Sequence, residues 1–390
     1  WGAWFVTLGT FLGTNLKASG AETAAVFSTQ SWGAIIAPFI IGLIADRYFN
    51  AERILGVLHL VGAFLMNQMY QSSDLSSFYI YVFSYMVLYM PTLALVNSVA
   101  FNQMKDPEKE FSSIRVWGTI GWIVAGLSIS YVFHWDSAES LASGMLKNTF
   151  LLAGIAALIL GLLSFTLPAT PPKVSDEKIK IGDIIGLDAL KLLKDKNFAV
   201  FFISSILICI PLAFYYQNAN PFLTESGLEN PTGKMAIGQI SEALFLLLIP
   251  VFFSKYGFKK TILVGMLAWA IRYALFAYGN GGELSFMLII GIALHGICYD
   301  FFFVSGQIYT NSKAGDKYKS AAQGLITLAT YGVGMLIGFA VAGWITDNYK
   351  TATGTINWEM VWIIPAGIAL AVFVLFALTF NDKNKTEVSH

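Results

Sequence analysis

The stretch GQISEALFLLLIP, residues 238–250, is apolar throughout most of its length and yet contains a carboxylate, Glu242. Between Lys234 and Lys255 lie 20 residues, enough for a helix with a rise of about 1.5 Å per residue to cross a bilayer. An ionised carboxylate there costs on the order of 3 kcal/mol, so it usually faces a cavity or a partner. Gln239 precedes it by almost one helical turn and shares its face. The pair predicts either a polar contact between helices or part of a solute path.

The composition extends this interpretation to the whole chain. Of 390 residues, 56% are hydrophobic and 12% are charged, and the mean hydropathy is +0.63. The net charge is zero, which gives no indication of nucleic-acid binding. Cys209 and Cys298 both lie in apolar segments, so we expect buried thiols rather than a disulfide or a zinc site. The composition indicates an all-α membrane protein without metal or cofactor.

Apolar segments long enough to span a membrane recur twelve times. Their connections are short except for residues 168–197, which contain three prolines, a charged stretch and the amphipathic segment GLDALKLLKDK. This linker predicts two halves of six spans, residues 1–167 and 198–390. Because the chain begins inside an apolar segment, we expect the first span to be truncated. The predicted spans are 1–17, 24–45, 54–71, 77–102, 114–134, 148–167, 198–220, 235–254, 261–279, 284–310, 321–346 and 358–380.

Basic residues predict the orientation of these spans. The loops after even-numbered spans, together with the C-terminal tail and Arg115, hold 19 Lys and Arg residues, whereas the opposite loops hold four. Because cytoplasmic loops carry the excess of Lys and Arg, we expect the linker and the C-terminus to be cytoplasmic.

The two halves are weakly similar. The segment PFIIGLIADRYFNAERIL at 38–55 and the segment LLLIPVFFSKYGFKKTIL at 246–263 each end a span on an aromatic and basic turn. Repeated six-helix halves are typical of transporters that work by alternating access.

The turn after the second span contains Gly42, Asp46, Arg47 and Arg53. It resembles the loop motif of the major facilitator superfamily, Gly-x-x-x-Asp-Arg/Lys-x-Gly-Arg/Lys-Arg/Lys, although the second Gly and the basic pair are absent. The resemblance implies a twelve-helix major facilitator fold in which these four residues form a cytoplasmic gate. An ordinary charged turn is the alternative.

Five further segments extend the resemblance over essentially the whole chain. They are similar to bacterial nucleoside:proton symporters, which implies proton-driven import of nucleosides across the cytoplasmic membrane of a bacterium. The segments are MPTLALVNS at 90–98, FSSIRVWGTIGW at 111–122, GQISEALFLLLIPVFFSKYG at 238–257, WAIRYALFAYG at 269–279 and YDFFFVSG at 299–306.

The resemblance also assigns substrate contacts, position by position. Trp122 stands where the family has Phe, and His295 where it has Tyr, which leaves the preference among bases open. The seventh span departs from the family: where the family has a pair of polar residues, this chain has Ala213 and Tyr216. The predicted substrate-binding residues are Arg115, Thr119, Trp122, Tyr216, Gln217, Gln239, Glu242, His295, Tyr299 and Asp300.

The chemistry of these side chains suits a nucleoside. Carboxylates such as Glu242 and Asp300 accept hydrogen bonds from ribose hydroxyls, and Gln239 can donate as well as accept. Stacking of a base on Trp122 or Tyr299 contributes about 1 to 3 kcal/mol. In a chain that is 15% aromatic, packing is the alternative for each aromatic side chain.

Glu242, Arg272 and Asp300 lie at one predicted depth. Each is 12 or 13 residues from a lysine that marks the cytoplasmic end of its span, which at about 1.5 Å per residue places it near the midplane. We expect a network in which Arg272 neutralises one acid while the other remains free to take a proton. Glu242 and Asp300 are therefore the candidates for proton coupling. A structural role is the alternative for Arg272, and His59 and His295 are candidates either for proton transfer or for hydrogen-bonded packing.

The sequence leaves other functions open. A major facilitator protein could carry a sugar or a nucleobase, or export drugs. A membrane-embedded enzyme is disfavoured because the chain has four His and two Cys residues without the spacing of a metal site or a nucleophile motif. A receptor is supported by no feature. We predict a monomeric, non-enzymatic transporter in the lipid bilayer, with nucleosides and protons as its cargo and no nucleic-acid partner.

Overall fold

The computed structural model describes residues 1–40, 48–172 and 187–381, without the side chains of 107–109, 111–112, 187–188 and 316–320. Within these ranges the chain is almost entirely helical, and its one β-bridge joins Lys350 to Ile356. The predicted all-α class is confirmed.

The chain divides into two compact units. Unit 1 comprises Trp1–Ile184 and Asn230–Gly233, and unit 2 comprises Ile185–Glu229 and Lys234–His390. The boundary near residue 184 falls inside the segment 168–197. That this segment is a cytoplasmic linker between halves 1–167 and 198–390 stays a prediction.

Each predicted span of the first half overlaps a helix of unit 1. The helix α2 begins four residues before its predicted span because Ser19 and Glu22 form a capping box. The Glu22 carboxylate accepts from the Ser19 N–H at 2.8 Å, and the Ser19 hydroxyl accepts from the Glu22 N–H at 3.2 Å. The helices are α1 (Leu8–Asn15), α2 (Gly20–Ile40), α3 (Ala51–Gln71), α4 (Leu75–Gln103), α5 (Pro107–Leu127) and α6 (Asn148–Ser164).

In unit 2 two helices continue across predicted span boundaries. Inside these two helices the backbone leaves helical geometry only at Gly257, with φ 74°, and at Gly315, with φ 61°. Because glycine adopts positive φ at little cost, one residue suffices to break each helix. The helices are α7 (Lys196–Glu225), α8 (Pro231–Tyr278), α9 (Ser285–Ala293), α10 (His295–Tyr299), α11 (Ser305–Thr327), α12 (Met335–Asn348) and α13 (Trp358–Thr379).

The surface and the helix lengths fit a bilayer. Seven helices of the described ranges are long and apolar enough to cross a membrane. Large apolar side chains are exposed on both units, among them Trp117 at 69%, Leu247 at 75% and Leu378 at 81%. Such exposure is unusual for a protein in water and ordinary for one in lipid.

The predicted gate residues Gly42, Asp46 and Arg47 lie outside the described residues. Arg53, the fourth, is exposed in the first turn of α3. Next to it Glu52 is 3% exposed and accepts hydrogen bonds from the Thr170 N–H at 2.8 Å and the Asn50 side chain at 2.9 Å.

Residues 230–233 belong to unit 1, and two of their backbone N–H groups donate hydrogen bonds within that unit. The Thr232 N–H donates to Asp136 at 3.1 Å, and the Gly233 N–H donates to the Ser130 hydroxyl at 2.7 Å. Ser130 in turn donates to Asp136 at 2.5 Å. The first N–H groups of a helix have no acceptor within the helix, and here the Asp136 carboxylate and the Ser130 hydroxyl accept from them. The negative charge of Asp136 thereby lies at the positive end of the helix dipole.

Glycines set the closest helix contacts of each unit. In unit 1, a Cβ on Gly56 of α3 would lie 3.1 Å from the Gly161 carbonyl oxygen of α6, and a Cβ on Gly161 would lie equally close to Gly56. In unit 2, a Cβ on Gly338 of α12 would lie 2.6 Å from the Cβ of Ala213 and 2.9 Å from the Cys209 carbonyl oxygen. Small residues therefore permit the backbones to approach, as is usual where lipid surrounds helices. The two cysteines, Cys209 and Cys298, are 0% exposed, as expected.

Asp195 joins two elements of unit 2 just before α7 begins. One of its oxygens accepts from the Phe198 N–H at 3.0 Å, and the other accepts from Lys313 Nζ at 3.0 Å. Partial burial raises the pKa of Asp195, but the hydrogen bonds from Phe198 and Lys313 outweigh it and hold the pKa below its ordinary value.

We expect Asp195→Ala to lower the free energy of unfolding by about 1 kcal/mol, because it removes the helix cap. Asp195→Asn keeps the cap and loses the ion pair, which is 27% and 42% exposed and therefore costs less. A lowered folded-state pKa gives stability that is present above the unfolded pKa and is lost as the pH falls through the folded value. Thermal unfolding in detergent from neutral to acid pH measures both effects. Equal losses for the Asn and Ala variants at neutral pH would contradict the capping role.

We expect Gly56→Ala to destabilise the protein by about 1 to 3 kcal/mol, because the new methyl group overlaps the Phe165 ring and the Gly161 carbonyl. Gly367→Ala in α13 is the matched control, since no atom lies within 4 Å of its added Cβ. It should leave the melting temperature unchanged or raise it. A loss of the same size in both variants would show that helix contact is not the cause.

Candidate functional site

A single hydroxyl fixes the polar centre of unit 2. The helix is interrupted between Ala293 and His295, and Ser241 of α8 bridges the interruption. The Ser241 hydroxyl donates to the Ala293 carbonyl and accepts from the Gly296 N–H at 3.2 Å. A Cβ on Gly296 would lie 2.5 Å from the Ser241 carbonyl oxygen, so only glycine allows this approach. The next residue, Glu242, is thereby held beside His295.

Glu242, His295 and Arg272 form a line of polar groups. The His295 Nε2 lies 3.7 Å from a Glu242 carboxylate oxygen, and its Nδ1 lies 3.0 Å from the Arg272 NH1. The Arg272 guanidinium carbon lies 3.5 Å from the centre of the Tyr215 ring, which also stacks on His295 at 5.2 Å. Arg272 is 0% exposed and His295 2%, whereas the Glu242 side chain is 29% exposed. Glu242 is thus the accessible member of the line.

A second group surrounds a π-helical segment, Asp300–Val304. The Tyr299 hydroxyl contacts the Tyr331 hydroxyl, and Tyr331 lies in another π-helical segment, Leu328–Gly334. Asp300 is 1% exposed. Such segments occur frequently at functional sites.

The remaining predicted residues of unit 2 lie on α7 and α8. Tyr216 is half-buried, with its ring centre 6.0 Å from that of Tyr215. Gln217 is 1% exposed, and its amide oxygen and nitrogen find no hydrogen-bond partner in the part of the chain that the structure describes. Gln239 is half-buried, three residues before Glu242.

The predicted residues of unit 1 share one face of α5. Arg115, Thr119 and Trp122 follow one another at helical spacings of four and three residues. Arg115 is exposed, whereas Thr119 and Trp122 are half-buried. The Trp122 ring centre lies 6.0 Å from that of Trp1, so part of this side chain is committed to packing.

Sequence reasoning missed three residues of the site in unit 2. Ser241 is next to Glu242 but lies on the neighbouring face, and Tyr215 is next to the predicted Tyr216. Tyr331 is far along the chain, in a glycine-rich stretch. Arg272 was expected to neutralise an acid, and the structure places its guanidinium on His295 and Tyr215. A buried arginine needs a π-face or an acceptor nearby, which is the signal that could have drawn attention to Tyr215.

The arrangement can bind an uncharged polar solute and a proton. The accessible Glu242 carboxylate accepts hydrogen bonds from hydroxyl groups and can be protonated. Aromatic rings on α7 and α10 offer flat faces next to it. Among the described residues, no group of three or more His, Cys, Asp and Glu side chains is placed to hold a metal ion.

Comparison with known proteins identifies the family. The family model described as "Nucleoside H+ symporter" matches residues 1–385. The putative nucleoside transporter YegT of Escherichia coli is 41% identical over 98% of this chain and 91% of its own length. The xanthosine permease of Escherichia coli is 31% identical over 99% of this chain and 94% of its own. A crystal structure of the nucleoside transporter NupG superposes with a TM-score of 0.86 at 30% identity, over 98% of this chain and 96% of that one. The chain therefore belongs to the nucleoside:proton symporter family and has its major facilitator fold.

Proposed function

We propose that this protein imports nucleosides together with protons across the inner membrane of a bacterium. The observation that carries the proposal is the Glu242 carboxylate, 29% exposed and placed among aromatic and polar groups of unit 2. Family membership and the names of its relatives, which include a nucleoside permease and a xanthosine permease, support the choice of cargo.

Nucleoside binding uses the predicted residues in distinct roles. Carboxylate and amide groups of Glu242, Gln239 and Gln217 pair with ribose hydroxyls or with the edge of the base. The rings of Tyr216 and Tyr299 offer stacking surfaces. The other predicted substrate contacts are Arg115, Thr119 and Trp122.

Glu242 is a better candidate than Asp300 for exchanging protons with water. Its side chain is 29% exposed, whereas Asp300 as a whole is 1% exposed. A proton taken up from the outside neutralises the carboxylate and favours nucleoside binding, and loss of both cargoes on the inside resets the carrier. Gly42, Asp46, Arg47 and Arg53 form the cytoplasmic gate.

The oligomeric state, the orientation in the membrane and the fate of the substrate complete the proposal. It acts as a monomer in the bilayer, because each chain carries the full set of predicted site residues. The linker and the C-terminus lie in the cytoplasm, as the basic loops indicate. The protein transports its substrate without changing it chemically.

We expect purified protein in proteoliposomes to accumulate radiolabelled nucleoside when the outside is acidic. A gradient of one pH unit corresponds to about 1.4 kcal/mol, which supports about tenfold accumulation if one proton accompanies each nucleoside. A protonophore should abolish the accumulation, and unlabelled nucleosides should compete where bare bases and sugars do not. Competition by sugars alone, or chemical conversion of the nucleoside, would refute the proposal.

We expect Glu242→Gln to abolish accumulation in a pH gradient, because the amide keeps the shape and loses the titrating group. Exchange of internal for external nucleoside should persist, since exchange requires no net proton movement. Asp300→Asn makes the same chemical change at the other candidate acid and should keep the accumulation. If Asp300→Asn loses accumulation and Glu242→Gln keeps it, then Asp300 is the coupling acid.

A further inference from the structure

We propose that Arg272 is a positioning residue: it fixes His295 as the neutral imidazole whose Nε2–H faces Glu242. The importance of this arrangement for transport rests on the proposed function. The arrangement itself can be measured without transport.

The hydrogen-bond chemistry of Arg272 determines which ring nitrogen carries the proton. A guanidinium group only donates and stays protonated in proteins. The Arg272 NH1 lies 3.0 Å from the His295 Nδ1, so Nδ1 must accept. In a neutral imidazole the single proton is then on Nε2. If Nδ1 were protonated as well, two N–H donors would face each other at 3.0 Å, and the imidazolium and guanidinium charges would repel.

The surroundings hold both groups in this arrangement. The Tyr215 ring stacks on the guanidinium at 3.5 Å and on the imidazole at 5.2 Å, and the Tyr299 ring stacks on the imidazole at 5.8 Å with an interplanar angle of 28°. The imidazole cannot turn over without displacing these rings. Since Arg272 is 0% and His295 2% exposed, water does not compete for either ring nitrogen.

The fixed tautomer has a consequence for Glu242. Nε2 lies 3.7 Å from the carboxylate and already carries a proton, while Nδ1 is occupied by Arg272. His295 therefore cannot accept a proton from Glu242. It presents a fixed N–H to the carboxylate at 3.7 Å, an electrostatic contact rather than a hydrogen bond. The exposed part of the carboxylate remains available for a nucleoside or a proton.

Other titratable groups around the imidazole do not replace these two contacts. Tyr215 presents its ring face to the imidazole, while its hydroxyl and the Cys298 thiol face Arg272. Tyr216 contacts Tyr215. On the element of His295 itself, Cys298, Tyr299 and Asp300 follow in sequence, and the Tyr299 hydroxyl is engaged with Tyr331. The ring nitrogens of His295 thus face Arg272 on one side and Glu242 on the other.

The test is ¹⁵N NMR of histidine-labelled protein, which reports the protonation of each ring nitrogen. The chain has four histidines, and the signals missing from His295→Gln identify those of His295. We expect one neutral tautomer at neutral pH, with its proton on Nε2 and none on Nδ1. A proton on Nδ1 at this pH, in the other tautomer or in an imidazolium, would overturn the proposal.

Variants of Arg272 test the cause. Arg272→Lys keeps a charged donor and should preserve the tautomer, whereas Arg272→Met removes it and should produce a mixture of tautomers or a titrating ring. Met is flexible and carries no charge that needs compensation in the interior, so Arg272→Met should fold. An unchanged spectrum in the folded Arg272→Met protein would refute the role of Arg272.

Variants of His295 test the consequence for transport. Gln can accept from Arg272 and point an N–H toward Glu242 without titrating. Any loss in His295→Gln should therefore be equal in gradient-driven accumulation and in nucleoside exchange, so that the ratio of the two stays at the value of the parent protein. His295→Phe offers neither group and should lose about tenfold or more. If His295→Gln exchanges nucleosides but no longer accumulates them, His295 carries the proton and the proposal fails. If the parent protein transports no nucleoside, the proposed function fails while the NMR result still decides the tautomer.

Discussion

The close approach of α8 to the junction of α9 and α10 is the contact on which the polar centre of unit 2 depends. A helix interrupted inside a membrane leaves backbone groups that lipid cannot satisfy. Here one hydroxyl, that of Ser241, satisfies the Ala293 carbonyl and the Gly296 N–H together. The absence of a side chain at Gly296 brings the backbones close enough for these bonds. The positions of Glu242 and His295 follow from that contact, because each is adjacent in sequence to one of its partners.

A buried positive charge is the second constraint. Removing an ion from water is costly unless neighbouring groups compensate, and Arg272 finds a ring nitrogen and an aromatic face. The His295 imidazole lies between this charge and the Glu242 carboxylate, with one ring nitrogen toward each. If Glu242 exchanges protons as proposed, this arrangement suits it better than a tight ion pair would.

Hydropathy predicted the helices well because the bilayer imposes a minimum apolar length on each of them. Counting from the lysines at the span ends predicts a common depth for Glu242, Arg272 and Asp300, and this stays a prediction. Counting along a helix gives depth but not the direction in which a neighbouring helix lies. The partners of Arg272, the bridge made by Ser241 and the contact between Tyr299 and Tyr331 depend on that direction, and on local breaks that hydropathy does not detect. Span boundaries differed where polar residues extend a helix, as Ser19 and Glu22 do.

The burial of the two cysteines has a practical consequence. Cys209 and Cys298 are 0% exposed, so thiol reagents in solution should not reach them while the protein is folded. A cysteine introduced at an exposed position such as Ser113 would then be the reactive thiol of the molecule. Fluorescent or spin labels can be attached there without first replacing native cysteines, which leaves the packing of α7 against α12 around Cys209 intact.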